Sequence, residues 1–335
     1  MLYFLQVKHQ CSYTAFENKY IKRINEGECG MSKIVFSAQN LSKQYRGQRA
    51  LDSVNMEIRQ GDIYGFVGEN GAGKTTLIRV LTGLIAPTEG GISLFGESGS
   101  DQLTRQRRRV GGVTETPALY LNMNAVDNLE ICRLQRGISN KSSVHDALRL
   151  VSLTDTGSKK AKNFSLGMKQ RLGLAMALIG NPEFLVLDEP VNGLDPVAIV
   201  EFRELLKRLC KERGITVLIS SHILPELHQL ATCYGFIHHG KLLEQLSVDE
   251  LNEKCKKHIN IKVDDTAKAT DILKTELNTN NFEVLNNGTI RLYESFRSGD
   301  VSNALFGNGI AVEEISTSGG DLEEYYMNLI GGRAS

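Results

Sequence analysis

The stretch GENGAGKT, residues 68–75, sets a lysine and a threonine directly after small, flexible residues and fits the phosphate-binding pattern G-x-x-x-x-G-K-[ST]. Its chemistry is that of a polyphosphate cradle. Gly68, Gly71 and Gly73 let the backbone curl so that N–H groups face phosphate oxygens, and a helix starting at Lys74 adds its positive end. Asn70, Ala72 and Thr76 complete the expected nucleotide-binding set. Lys74 reaches toward β and γ phosphates, and the Thr75 hydroxyl suits a Mg²⁺ ligand. FLVLDEP (184–190) delivers two carboxylates at the end of an apolar run. Asp188 suits the Mg²⁺ shell, while Glu189 suits the orientation or deprotonation of an attacking water. FSLGMKQRLG (164–173) puts the Ser165 hydroxyl and the Gly167 N–H at the start of an amphipathic run, which by itself is no more than a helix cap. In VTETP (113–117) one acid, Glu115, stands between two threonines, and nothing local separates a solvated loop residue from a functional one.

These groups need elements to hold them. DIYGFV (62–67), FLVLD (184–188) and TVLIS (216–220) read as buried strands. KTTLIRVLTGL, SLGMKQRLGLAMALIG and AIVEFRELLKRLCKERG have helical periodicity, the last stopping at Gly214. Such alternation predicts an α/β fold with a mostly parallel core sheet wrapped by helices, its acids at the carboxyl ends of the strands where ligands bind. Beyond about residue 245 the pattern becomes β-α-β-β-α-β over 259–315, expected to form a small α+β appendage (246–335) closed by a helix at 321–330. Residues 1–30 lack sustained periodicity, and Met31, where patterning begins, is the expected natural start; EGE (26–28) encodes a purine run at a plausible spacing for ribosome binding.

Composition narrows the classes. The formal net charge is zero, so no bulk electrostatic attraction to nucleic acid is expected. The six cysteines are scattered without a CxxC pair, fitting a reduced compartment better than a disulfide framework. No apolar run approaches the roughly 18–20 residues needed to cross a bilayer, so any membrane span must belong to another chain.

Together the motifs resemble the ATP-binding subunits of ABC transporters over about 33–245. FSLGMKQ is similar to the family's signature, with Ser165, Leu166, Gly167 and Met168 at the positions that face a partner's nucleotide; VNGLDP (191–196), with Asp195, resembles the D-loop, and SSH (220–222) the switch-histidine loop. Tyr45 looks like the aromatic that stacks on adenine. The resemblance implies a P-loop NTPase fold with an antiparallel β part and a helical subdomain near 101–162. It implies two subunits sandwiching ATP and Mg²⁺ head to tail, with Glu189 and His222 catalytic and Thr75 and Asp188 at the metal. It also implies a separate ABC-2-type membrane permease that docks on 119–129, on the inner face of the cell membrane. Glu115 occupies the place where glutamine is usual, a feature of the bacitracin-resistance and lantibiotic-immunity branch; as a third carboxylate it should crowd Asp188 and Glu189. Export of another cargo (a lipid, polysaccharide or small drug) remains open, as does a non-transport ABC protein, although the chain shows neither a second cassette nor a long coiled coil. A binding-only module is disfavoured because Lys74, Asp188, Glu189 and His222 are all present. RQRRR (105–109) reads as a solvated helical face rather than a lipid-headgroup contact.

Overall fold

β1 (Ile34–Tyr45) and β2 (Gln48–Arg59), the latter alternating buried and exposed residues over 54–59, form an antiparallel hairpin in the computed structural model, which describes residues 33–285, 287–293, 296–318 and 322–331. The segment 1–30 and the expected start at Met31 lie outside the described residues. β3 (Ile63–Val67) feeds the loop 68–73 and α1 (Lys74–Thr82), and β4 (Glu89–Leu94) returns to β1, giving a sheet of order β2-β1-β4. After α2 (Ser100–Gln106) and β5 (Val110–Val113) come three helices, α3 (Ala125–Gln135), α4 (Ser142–Leu150) and α5 (Leu166–Leu178). Next are β6 (Phe184–Asp188), α6 (Pro196–Arg213), β7 (Thr216–Ser221), α7 (Leu224–His228), β8 (Cys233–His238) and β9 (Lys241–Ser247).

The main sheet runs β5-β6-β7-β3-β8-β9, parallel except for β9. Every residue of β3, β6 and β7 is buried, as expected of central strands covered on both faces. The helical segment begins later than the sequence suggests. Within 101–162, Val110–Val113 pairs with Phe184–Leu187 and belongs to the main sheet, so the helical layer starts only after the loop 113–117. VGGV has too little side chain to show strand periodicity, and its glycines fit a tight approach: a Cβ on Gly111 would lie 2.7 Å from the Ala177 carbonyl oxygen.

Two of the arginines in RQRRR contact residues distant in the chain, while Arg105 and Arg108 are exposed. Arg107 caps the end of α1, donating to the carbonyls of Leu81 (3.0 Å) and Val80 (3.3 Å). Arg109 forks onto Glu183 and lies 3.6 Å from the centre of the Phe95 ring.

Downstream, α8 (Val248–Lys254) starts with a reciprocal Ser247–Glu250 cap. β10 (His258–Val263), α9 (Thr266–Thr275), β11 (Phe282–Val284), β12 (Ile290–Leu292), α10 (Ser298–Gly307) and β13 (Val312–Ser318) then form an antiparallel sheet of order β11-β12-β10-β13 around its own apolar core. The last helix, α11 (Leu322–Gly331), packs back on the main domain. Leu322, Tyr325, Tyr326 and Leu329 lie against the core that also contains Leu246 and Leu251, and Tyr325 meets Phe236 edge-on while its hydroxyl donates to Glu244. The core of the main domain thus continues past residue 245.

Candidate functional site

The loop after β3 needs glycine for a definite reason. Gly73 has φ +115°, and a Cβ there would sit 2.6 Å from the Ala50 carbonyl oxygen. The first-turn N–H groups of α1, at Lys74, Thr75 and Thr76, have no acceptor within the helix. They border a cavity of about 320 Å³ whose wall also includes Asn70, Gly71 and Gly73 from the loop, and Glu115, Glu189 and Asn192 from elsewhere. Gly68 and Ala72 shape the loop from behind: the Gly68 N–H donates to Ser221 O (3.4 Å) and the Ala72 N–H to Glu69 O (3.1 Å).

At the base of this cavity charges are buried together. Lys74 Nζ donates to the carbonyls of Gly68 (2.6 Å) and Glu69 (3.1 Å) and stands 3.0 Å from Glu189 Oε1, an ion pair without hydrogen-bond alignment. The other oxygen, Glu189 Oε2, lies 2.9 Å from Nδ1 of His222. Lys74, Asp188 and Glu189 are all buried. Glu189 sits at φ +47°, in the left-handed region costly for a side chain that is not glycine, and strain of this kind concentrates at functional sites.

Ser220 holds that strained turn. Its Oγ donates to Asp188 Oδ1 (2.8 Å) and accepts the Glu189 N–H (2.9 Å), and the residue is fully buried. One hydroxyl therefore fixes both acids. Ser220→Ala should lower the unfolding free energy by about 1–3 kcal/mol, the cost of orphaning buried polar groups, while Ser220→Thr should recover most of it. Denaturant titration of the three proteins checks this; equal midpoints for wild type and Ser220→Ala would refute it.

A second cavity, about 520 Å³, adjoins the first, with Thr75, Asp188, Thr114 and Glu115 on its wall. Glu115 therefore borders both cavities, while its carboxylate accepts from Asn192 Nδ2 at 2.8 Å. The buried side chain of Gln170 donates to the Glu115 carbonyl at 2.8 Å. The signature-like residues stand apart, and none of Ser165, Leu166, Gly167 or Met168 borders either cavity. Ser165 caps α5 by accepting the Met168 N–H (3.2 Å), Leu166 is exposed, and a Cβ on Gly167 would touch Ala198. Asp195 caps α6 through the Ala198 N–H (2.9 Å). Tyr45 ends β1, exposed beneath the Lys43 ammonium, and does not border the cavity at the 68–76 loop.

Sequence reasoning missed Ser220, Asn192 and Gln170 as partners of the acids. It also missed Glu226, whose carboxyl burial pushes above its usual range, with His222 opposing and Glu189 reinforcing the shift. Burial pushes the Cys210 thiol up to about 12 and that of Cys233 up to about 11, so both stay protonated and unreactive.

A family model described as "ABC transporter" matches residues 51–192. The bacitracin transport ATP-binding protein BcrA of Bacillus licheniformis is 45% identical over 303 residues, spanning 90% of this chain and 99% of that protein. The chain belongs to the ABC transporter ATP-binding family. The cassette is also 44% identical over 211 residues to the lantibiotic transport ATP-binding protein SrtF of Streptococcus pyogenes, covering 63% of this chain and 90% of that one. A bacterial ABC transporter cassette solved as a dimer, MJ0796, superposes with a TM-score of 0.58 at 25% identity, covering 64% of this chain and 98% of its own. Family and fold make the cassette a nucleotide-binding P-loop NTPase of the α/β class and an ATP hydrolase. Among the described residues no helix is long and apolar enough to cross a membrane.

Proposed function

We propose that this cassette powers a bacterial exporter of peptide antibiotics, acting beneath a separate ABC-2-type permease at the inner face of the cell membrane. The observation behind this reading is the end-to-end likeness to a bacitracin transport ATP-binding protein. Glu115 in place of the usual glutamine points to the same branch. ATP would sit with its β and γ phosphates against the N–H groups of 71–76 and Lys74. Thr75 and Asp188 offer the hydroxyl and carboxylate that suit Mg²⁺, which when bound neutralises phosphate charge. Glu189 takes the proton of the attacking water, and His222, 2.9 Å from it, steadies the carboxylate and the γ-phosphate side of the site.

Two further features support the partners. The signature residues stand outside their own chain's cavity, with Leu166, Val197 and Val200 exposed beside them, which suits a second cassette bringing Ser165 and Gly167 to the γ-phosphate in trans. Tyr120, Leu121, Met123 and Val126 are exposed on the helical layer just after the Glu115 loop, an apolar surface suited to a permease segment. Tyr45, outside the phosphate cavity, would serve the adenine end.

Deleting the gene should raise susceptibility to bacitracin or a lantibiotic several-fold, read as the minimal inhibitory concentration. A copy with Glu189→Gln should fail to restore resistance. Unchanged susceptibility to both antibiotic classes would point to export of a different cargo.

A further inference from the structure

Glu115, exposed on the loop after β5, is held by two hydrogen bonds, one to its backbone and one to its side chain. Its backbone is seated on α5: Gln170 donates to its carbonyl at 2.8 Å, and two residues later Pro117 packs so close that a Cβ on Gly173 would lie 2.7 Å from it. Its side chain accepts from Asn192 Nδ2 at 2.8 Å. Asn192 is in turn tied to the catalytic turn, its N–H donating to the Glu189 carbonyl at 3.2 Å. Glu115 also borders the cavity lined by Thr75 and Asp188. A carboxylate only accepts hydrogen bonds, so it has two kinds of partner here, an amide donor or a cation.

We propose that Asn192 is a positioning residue for Glu115: its amide clasps the carboxylate to the D-loop, and Mg²⁺ arriving beside Asp188 competes with that clasp. The D-loop and the loop that faces the permease then share one hydrogen bond whose state follows metal loading. A glutamine at 115 would accept from Asn192 through its neutral carbonyl, without the charge that makes the bond strong or the metal a serious rival. The competition half rests on the assignment of Thr75 and Asp188 to Mg²⁺; the clasp itself does not.

The test combines hydrogen exchange with metal titration on the full chain. In nucleotide-free, metal-free protein, Asn192→Ala should speed amide exchange in 113–117 about five-fold, the worth of one exposed hydrogen bond. The reversed pair, E115Q/N192D, puts the amide on the loop and the carboxylate on the D-loop and should return exchange to the wild-type rate. Asn192→Asp alone, with two carboxylates opposed, should not. In the second arm the Mg²⁺ concentration for half-maximal binding of a fluorescent ATP analogue should fall about five-fold in Asn192→Ala, because the carboxylate no longer has to leave a partner. Wild-type exchange in Asn192→Ala overturns the clasp. Faster exchange with an unmoved Mg²⁺ midpoint overturns the competition and leaves the clasp standing. Nucleotide binding by wild type that ignores Mg²⁺ altogether overturns the metal assignment, and the exchange arm still decides the clasp.

Discussion

Glu189→Gln is expected to reduce steady-state ATP hydrolysis about 10²–10⁴-fold, the range attributable to a positioned general base, with ATP binding intact. The substitution is nearly isosteric, so the Glu189 backbone keeps its hydrogen bond to Ser220 and its left-handed conformation. What changes is charge. Glutamine cannot take a proton from water, and it no longer attracts the Lys74 ammonium, which stands 3.0 Å from the carboxylate. ATP must draw Lys74 away from that carboxylate in the wild type; in the variant the lysine is released beforehand. Affinity for ATP should therefore be unchanged or higher, and with the γ-phosphate retained a closed pair of cassettes should accumulate. Phosphate-release kinetics, analogue titration and size-exclusion chromatography with and without ATP report the three effects separately. Hydrolysis at the wild-type rate would remove Glu189 from the chemistry.

What the sequence revealed and what it hid divide along sequence separation. The phosphate loop was legible because strand, glycines, lysine and helix follow one another within twenty residues, and each has a local reason to be what it is. Asp188 and Glu189 were legible as the polar end of a wholly apolar strand. The order of motifs then gave the family, and the fold class with it. Partnerships were hidden. Nothing in SSH says that the first serine, rather than the second, fixes both acids from a neighbouring strand. Nothing near Glu115 points to Asn192, 77 positions away, or to the buried amide of Gln170. Glu115, expected as a third acid beside the other two, shares cavity walls with them and also accepts a hydrogen bond from an amide. VGGV was lost inside a helical stretch because glycine has no side chain to betray a period, and the roles of Arg107 and Arg109 within RQRRR were hidden because guanidinium groups that cap a helix or grip a glutamate have the same composition as the exposed ones of Arg105 and Arg108. The return of α11 to the main domain depends on which of two apolar surfaces it meets, and its own amphipathic pattern suits either.

Lys74→Ala should show two separable losses, and the separation identifies what the lysine does. The first is nucleotide affinity. Removing an ammonium that faces phosphate costs about 1.5–3 kcal/mol for a charged hydrogen bond, or roughly ten- to 150-fold in dissociation constant, and titration with a fluorescent analogue reads it directly. The second is stability of the empty protein. Lys74 and Glu189 side chains are only 6% and 11% exposed, so truncating the lysine leaves a buried carboxylate with less compensation, a loss of about 3–5 kcal/mol for a pair broken on one side. The lower end applies because His222 still stands 2.9 Å from the other oxygen. Adding Glu189→Gln to Lys74→Ala removes the stranded charge. The double variant should recover most of the lost unfolding free energy in denaturant titration and none of the lost affinity. If stability instead stays low in the double variant, the loss comes from the lysine's bonds to the Gly68 and Glu69 carbonyls, and the ion pair with Glu189 contributes little to holding the empty site together.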